Sequence, residues 1–197
     1  MTGPLVYVMG PSGAGKDSVL DRARGLLSVD TPGAFAHRYI TRPADIGGEN
    51  HVALSRAEFA LRRAHGLFAF HWHAHGNDYG IGREIEAWRA AELTVVVSGS
   101  REHYEKVAGS DPQLHPVLIT AAADKLRARL AARGREDAVA AARRLARSDA
   151  HPVSDPRLLT IVNDGALDAA AEAFVRALAT LRCSPGARHR ARSAPAR

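Results

Sequence analysis

The sequence predicts an α/β fold with three layers, in which a mostly parallel β-sheet is covered by helices on both faces. Short apolar runs alternate with amphipathic stretches along most of the chain, which is typical of consecutive strand–helix units. A glycine-rich segment also joins the first apolar run to the first amphipathic stretch. The apolar runs predicted as buried strands are residues 5–9, 36–41, 93–97, 116–120 and 158–162.

The helices are predicted from the spacing of their apolar residues and, in one case, from a capping signal. Val19, Leu20 and Ala23 recur at helical spacing just after the first strand. Ser55 with Glu58 three residues on resembles a capping box, which starts a helix through about residue 65. A strand is expected at 67–75, and the remaining helices are expected at 83–91, 124–133, 136–148 and 167–181.

Two regions interrupt the alternation of strands and helices. Residues 38–82 form a polar, histidine-rich insertion, and residues 127–147 form a strongly basic helical pair. There is no internal repeat and no linker that would divide the chain. We therefore predict one domain over residues 1–183, followed by a short tail at 184–197.

The net charge of +6 comes from the end of the chain. Residues 182–197 carry five arginines and no acid, which leaves the rest of the chain nearly neutral. This composition predicts a disordered, solvated tail, with weak contact to RNA or another polyanion as the alternative. A nucleic-acid partner is therefore not expected, and the sequence does not give an oligomeric state.

Three absences bear on where the protein works. No apolar run approaches the roughly 18–20 residues of a membrane helix, so no membrane partner is expected. The N-terminus shows no secretory signal. Cys183 is the single cysteine, so no intramolecular disulfide can form, and a reducing cytoplasm is the simplest interpretation.

A phosphate-binding loop follows the first predicted strand. Its sequence GPSGAGK satisfies G-x-x-x-x-G-K and opens a predicted helix, as the motif requires. Backbone N–H groups and the helix N-terminus form an anion site, and Lys16 reaches the terminal phosphates. The loop therefore predicts an ATP-using phosphotransferase with a P-loop NTPase fold. The expected ATP-binding residues are Gly10, Pro11, Ser12, Gly13, Ala14, Gly15, Lys16, Asp17 and Ser18.

One loop position departs from the usual pattern. Asp17 stands where a hydroxyl residue normally follows the lysine and binds Mg²⁺, and Ser18 comes next. No carboxylate ends the strand at 93–97. We hypothesise that Asp17 and Ser18 contact the metal; alternatively, Asp17 only stabilises the helix N-terminus electrostatically.

Four further segments follow the loop in a fixed order. They are Thr41-Arg42-Pro43 with Gly48-Glu49, then Gly76-Asn77-Asp78-Tyr79-Gly80, then Arg129-Leu130, Arg133-Gly134, Glu136 and Arg144-Leu145, and last Asn163-Asp164. Together with the loop they resemble the guanylate kinase family over about residues 4–180. The resemblance implies an inserted acceptor-binding subdomain at about 38–82, a helical lid at about 127–147, and Asn163 in the ATP site.

The base-binding positions depart from guanylate kinases. That family has Glu-Trp where this chain has His71-Trp72, and it has an acid where this chain has residues 98–101, Ser-Gly-Ser-Arg. A carboxylate accepts from two guanine N–H donors, and its loss leaves them unpaired. Asp45 and His51 also replace an arginine and a tyrosine. The sequence therefore argues against GMP as the acceptor.

These departures resemble the ribose 1,5-bisphosphate phosphokinases of phosphonate breakdown. The matching segments are residues 10–18, GPSGAGKDS, residues 37–42, HRYITR, residues 49–51, ENH, and residues 98–101, SGSR. The resemblance implies that ATP, with Mg²⁺, phosphorylates ribose 1,5-bisphosphate to 5-phospho-α-D-ribose 1-diphosphate (PRPP). The partner would be a small phosphorylated sugar.

The two resemblances also suggest residue roles. The expected catalytic residues are Lys16, Arg42, Arg129, Arg133 and Arg144. The expected acceptor-binding residues are Arg38, Arg42, Glu49, His51, His71, Tyr79, Ser100 and Arg101. The acceptor phosphate is largely ionised at pH 7, so we expect alignment and charge neutralisation rather than a general base.

Several alternatives remain open from the sequence. The chain could be a nucleoside monophosphate kinase with an altered base preference, or a non-catalytic guanylate-kinase-like binding module. The lid arginines could lie on a solvated helix face. His71, His73 and His75 have strand spacing and would share one face, where they could contact the acceptor, pack, or hold a metal.

Overall fold

The computed structural model describes residues 2–28, 33–43, 50–132 and 152–182. Within these ranges no helix is long and apolar enough to cross a membrane. The elements in chain order are β1 (Leu5–Met9), α1 (Lys16–Leu26), β2 (Gly33–Phe35), β3 (Arg38–Ile40), β4 (Val52–Ala53), α2 (Arg56–Ala64), β5 (Phe68–Ala74), β6 (Asn77–Gly82), α3 (Glu84–Ala90), β7 (Thr94–Ser98), α4 (Arg101–Val107), β8 (Leu114–Thr120), α5 (Ala123–Ala132), β9 (Leu159–Val162) and α6 (Leu167–Arg182).

The central sheet has five parallel strands in the order β2-β7-β1-β8-β9. All five residues of β1 are buried, as the continuous apolar run predicts for a strand covered on both faces. Val6 and Val8 pack toward α1 and α6, whereas Tyr7 joins a second apolar cluster with α3 and α4. The predicted three-layer fold is confirmed.

A second sheet lies within the region predicted as an insertion. Its four strands have the order β4-β3-β6-β5, with β6 antiparallel to both neighbours. One face contributes Ile81 and Phe70 to the apolar cluster that also holds Tyr7 of the central sheet. The other face packs Phe68 against Phe59 of α2. This second sheet is called the acceptor sheet below.

The strand predicted at 36–41 was wrong in its bounds. Only β3 falls within that range, and β2 ends just before it. β2 pairs with β7 in the central sheet, whereas β3 pairs with β6 in the acceptor sheet, so the chain passes from one sheet to the other at Ala36 and His37. Strand propensity alone cannot show such a crossing, because it does not tell with which sheet a strand pairs.

Besides β2, three elements were absent from the sequence-based prediction, namely β4, β6 and α4. No strand was predicted at β6; the turn that joins it to β5 consists of His75 and Gly76, whose φ angles of 51° and 74° suit a two-residue hairpin. Helix α4 follows Ser100, whose Oγ accepts a hydrogen bond from the His103 N–H as an N-cap. The helix predicted at 136–148 lies outside the described residues, as does the tail, so the predicted domain boundary at 183 stays a prediction.

Candidate active site

The phosphate loop connects β1 to α1 and passes very close to β8. A Cβ atom on Gly10 would lie 1.9 Å from the Ile119 carbonyl oxygen, so only glycine fits there. Gly13 and Gly15 have φ angles of 86° and 78°, which glycine adopts without strain. Gly15 is also the N-cap of α1. These constraints explain the glycine spacing that identified the loop in the sequence.

Residues from the far edge of the sheet brace the loop. Asn163, which is buried, donates from Nδ2 to the Ala14 carbonyl at 2.9 Å. Arg129 of α5 donates from Nη2 to the Asn163 carbonyl at 2.9 Å and approaches the Gly13 carbonyl at 3.5 Å. The structure thus places Arg129 and Asn163 at the loop, and their roles in catalysis and in ATP binding stay predictions. The two side chains bind backbone carbonyls of the loop, and these contacts hold the loop against β9 and α5.

Lys16 lies at the first position of α1 and folds back over the loop. Its Nζ donates to the Gly10 carbonyl at 3.1 Å. Asp17 and Ser18 occupy the same first turn, and the Asp17 side chain is partly exposed. Oxygen ligands are what Mg²⁺ prefers, so the carboxylate and hydroxyl fit the proposed metal at this position.

The acceptor sheet presents one of its faces to the central sheet beside the loop. Direct cross-strand pairs set that face, because paired residues point the same way. Arg38 pairs with Ile81, and Tyr79 pairs with both Ile40 and Trp72. The Arg38 guanidinium lies 5.3 Å from the Tyr79 ring centroid, and its Nη2 lies 3.9 Å from Asp17 Oδ1. Arg38 and Tyr79 therefore lie on the side that faces the loop.

Arg42 is held in place through its backbone, and part of its guanidinium has no acceptor among the described residues. The His51 Nε2–H donates to the Arg42 carbonyl at 3.0 Å, and Thr41 Oγ1 accepts from the Asp78 N–H at 2.8 Å. Arg42 Nε is buried and has no hydrogen-bond partner in the described part of the chain. A buried donor without an acceptor is costly, and an arginine in this state is suited to an anionic ligand.

His71 is not brought to the same face as Arg38. It pairs with Gly80, is exposed, and alternates with Trp72, so its side chain points to the α2 side of the sheet. His73 shares that side and hydrogen-bonds Asp78 Oδ1 at 2.8 Å. No group of three or more His, Cys, Asp or Glu residues suited to a metal was found among the described residues.

Ser100 and Arg101 lie at the end of β7, at the start of α4. The Ser100 Oγ is engaged as the helix cap, and the Ser100 carbonyl accepts from the Tyr7 hydroxyl at 3.1 Å. Both residues stay predictions as acceptor ligands. Glu49, Arg133 and Arg144 lie outside the described residues.

A stack of rings that the sequence did not indicate ties α4 to the acceptor sheet. The His103 ring lies 5.2 Å from the Trp72 ring, and Trp72 stacks on Tyr79 at 5.4 Å with an interplanar angle of 5°. His103 Nδ1 and the Tyr7 hydroxyl are 3.0 Å apart. Burial lowers the pKa of His103 to about 4, helped by the nearby Lys106 and His71 charges, and burial raises the pKa of Tyr7. No sequence pattern predicted that His103, three residues after Ser100, would join this stack of rings.

Comparison with known proteins decides the family. The chain is 55% identical over 163 residues to a protein from Desulfomicrobium baculatum named ribose 1,5-bisphosphate phosphokinase PhnN, covering 83% of this chain and 87% of that one. The chain belongs to the PhnN family. A PhnN protein from Thiobacillus denitrificans is 47% identical over 176 residues, covering 89% of this chain and 93% of that one. No protein-family model matches the chain.

A solved structure supports the fold that the PhnN family shares with its wider group. The guanylate kinase from Anaplasma phagocytophilum superposes with a TM-score of 0.67 at 17% identity, covering 93% of this chain and 88% of that one. Identity this low shows the fold alone. Both resemblances stated from the sequence, to guanylate kinases in fold and to ribose 1,5-bisphosphate phosphokinases in detail, are confirmed.

Proposed function

We propose that the protein transfers the γ-phosphoryl group of ATP to ribose 1,5-bisphosphate, forming ADP and PRPP. Membership of the PhnN family carries the proposal. The geometry agrees with it, because an intact phosphate loop faces a sheet that presents Arg38 on the same side. We also propose that the reaction serves phosphonate breakdown in the cytoplasm.

The chemistry requires alignment more than proton transfer. An oxygen of the acceptor's anomeric phosphate attacks the γ-phosphorus, and the bond from that phosphorus to the ADP oxygen breaks. The attacking phosphate has a second pKa near 6, so it is largely ionised and needs no base. The protein's task is to bring two polyanions together and neutralise their charge, which Lys16 does on the donor side.

On the acceptor side, the proposed ligands are arginines whose positions the structure supports. Arg42 offers a buried Nε–H that has no acceptor among the described residues, and Arg38 lies between the acceptor sheet and the loop. The planar fork of arginine binds two phosphate oxygens at once. His51 orients Arg42 through its carbonyl, so we assign His51 an indirect role. Glu49 stays a proposed acceptor ligand, and Arg133 and Arg144 stay proposed catalytic residues, both from the resemblance.

We propose that Mg²⁺ is held beside the phosphate loop by Asp17 and Ser18. The metal would supply charge neutralisation on the donor phosphates. Asp17 and Ser18 offer oxygen atoms on the first turn of α1, next to Lys16. No second protein carboxylate is proposed for this site.

The proposal is tested by following ADP release in a coupled assay. The acceptors are ribose 1,5-bisphosphate, GMP, AMP and none, each at several concentrations with ATP and Mg²⁺ in excess. We expect turnover with ribose 1,5-bisphosphate to exceed that with either nucleotide by far, and PRPP to form in equal amount to ADP. Faster turnover with GMP or AMP would instead indicate a nucleoside monophosphate kinase. No turnover with any acceptor, despite ATP binding, would favour a binding module.

A further inference from the structure

Asp17 makes a contact that its position in the phosphate loop does not require. It follows Lys16 on the first turn of α1, yet its Oδ1 lies 3.9 Å from Nη2 of Arg38, which belongs to the acceptor sheet. The contact therefore joins the element that holds the donor phosphates to the element that faces the acceptor. A residue that served only the metal or the helix N-terminus would have no need of this partner.

Arg38 is the more constrained member of the pair. Its side chain is only 13% exposed, whereas that of Asp17 is 42% exposed. Its guanidinium lies over the ring of Tyr79, which is itself buried and stacked on Trp72. A cation largely withdrawn from water is stabilised by a nearby anion and by an aromatic face. Asp17 and Tyr79 therefore both contribute to holding the Arg38 charge in its observed position.

Resting on the proposed function, we infer that Asp17 is a positioning residue for the acceptor, because it holds the Arg38 guanidinium toward the phosphate loop, where an acceptor phosphate binds it. The pair explains why a carboxylate replaces the usual hydroxyl at this position. Two substrates with many negative charges meet in this cleft, so an additional cation aimed at the acceptor is needed. The carboxylate keeps that cation in place before the acceptor arrives.

The test separates an effect through Arg38 from an effect through the metal. Asp17→Ser restores the hydroxyl that normally binds Mg²⁺ but removes the charge that faces Arg38. With ATP and Mg²⁺ both saturating, so that a weakened metal site is still filled, we expect it to raise the KM for ribose 1,5-bisphosphate about threefold to tenfold, as contacting pairs typically couple. An unchanged acceptor KM in this variant would overturn the inference.

A double-mutant cycle provides the second measurement. Arg38→Gln alone should raise the acceptor KM, and adding Asp17→Ser to it should change that KM by less than about twofold, because the partner is already gone. Effects that multiply would mean that Asp17 acts independently of Arg38 and would overturn the inference.

The control variant is Asp21→Asn, one turn further along α1. Asp21 is 80% exposed and pairs with Arg24 at 3.7 Å, and we assign it no part in acceptor binding. We expect Asp21→Asn to leave the acceptor KM unchanged in both the wild-type and the Arg38→Gln backgrounds. Thermal unfolding of each variant shows whether the fold is kept. If the wild type itself does not use ribose 1,5-bisphosphate, the proposed function fails; if it does and the cycle is additive, only this inference fails.

Discussion

Replacing Asn163 with alanine should have two effects: it should loosen the phosphate loop, and it should lower the free energy of unfolding of the protein. The Asn163 side chain is buried and donates to the Ala14 carbonyl. The backbone carbonyl of Asn163 accepts a hydrogen bond from Arg129 Nη2. Asn163→Ala removes the first bond and leaves the Ala14 oxygen without that donor, which costs about 1–3 kcal/mol. The small cavity left by the side chain adds to this cost, so we expect a loss of about 2–3 kcal/mol in the free energy of unfolding.

Thermal unfolding and steady-state kinetics test the two consequences separately. For a domain of this size, 2–3 kcal/mol corresponds to a fall in Tm of about 5–10 °C. Because the loop backbone binds the donor phosphates, the KM for ATP should rise more than the KM for the acceptor. Asn50→Ala, at an exposed asparagine whose Nδ2 lies 3.3 Å from His37 Nε2, is the control for the stability measurement alone and should change the free energy of unfolding by less than about 0.5 kcal/mol. A loss below 0.5 kcal/mol for Asn163→Ala would refute the bracing role.

Two further predictions concern buried polar groups. Arg42→Met should lower kcat/KM for ribose 1,5-bisphosphate about tenfold to a hundredfold, since a charged hydrogen bond to the acceptor is lost. The same change should raise the free energy of unfolding by about 1 kcal/mol in chemical denaturation, because Nε is a buried donor without an acceptor among the described residues; a destabilised variant would contradict this. The second prediction concerns His103, whose folded pKa of about 4 lies below its usual 6.5. Between these values the unfolded chain binds a proton that the folded chain does not, so stability should fall by up to about 3 kcal/mol as the pH drops from 6.5 to 4. His103→Gln should flatten that part of the profile, and an unchanged slope would contradict the assignment.

The fold and the donor site could be predicted from the sequence because their signals are local. The phosphate loop needs glycine where a Cβ would meet Ile119 or where φ is positive, and those needs fix its spacing in the chain. The strands of the central sheet are covered on both faces, so β1 and β7 read as continuous apolar runs. The capping signal at Ser55 was likewise local, and its Oγ accepts from the Glu58 N–H as predicted.

The acceptor side could be predicted only in part, because its geometry depends on strand pairing. Which residues share a face with Arg38 follows from the register of β3, β6 and β5, and no sequence pattern gives that register. Strand β6 contains Gly80 and Gly82, which lower its strand signal. His71 was predicted as an acceptor ligand because it stands where guanylate kinases have a glutamate, although strand alternation turns it away from the Arg38 face.

Arg38 and Arg42 differ in how their charges are compensated in the free protein, and we relate this difference to acceptor binding. Arg38 is compensated in the free protein by the Asp17 carboxylate and the Tyr79 ring, so its position is set before any ligand binds. Arg42 has a fixed backbone but a buried Nε without an acceptor in the described residues. The first arrangement favours precise placement and the second favours tight binding, because a phosphate that reaches Arg42 relieves an existing cost. A site that must hold a highly charged acceptor against a triphosphate needs both.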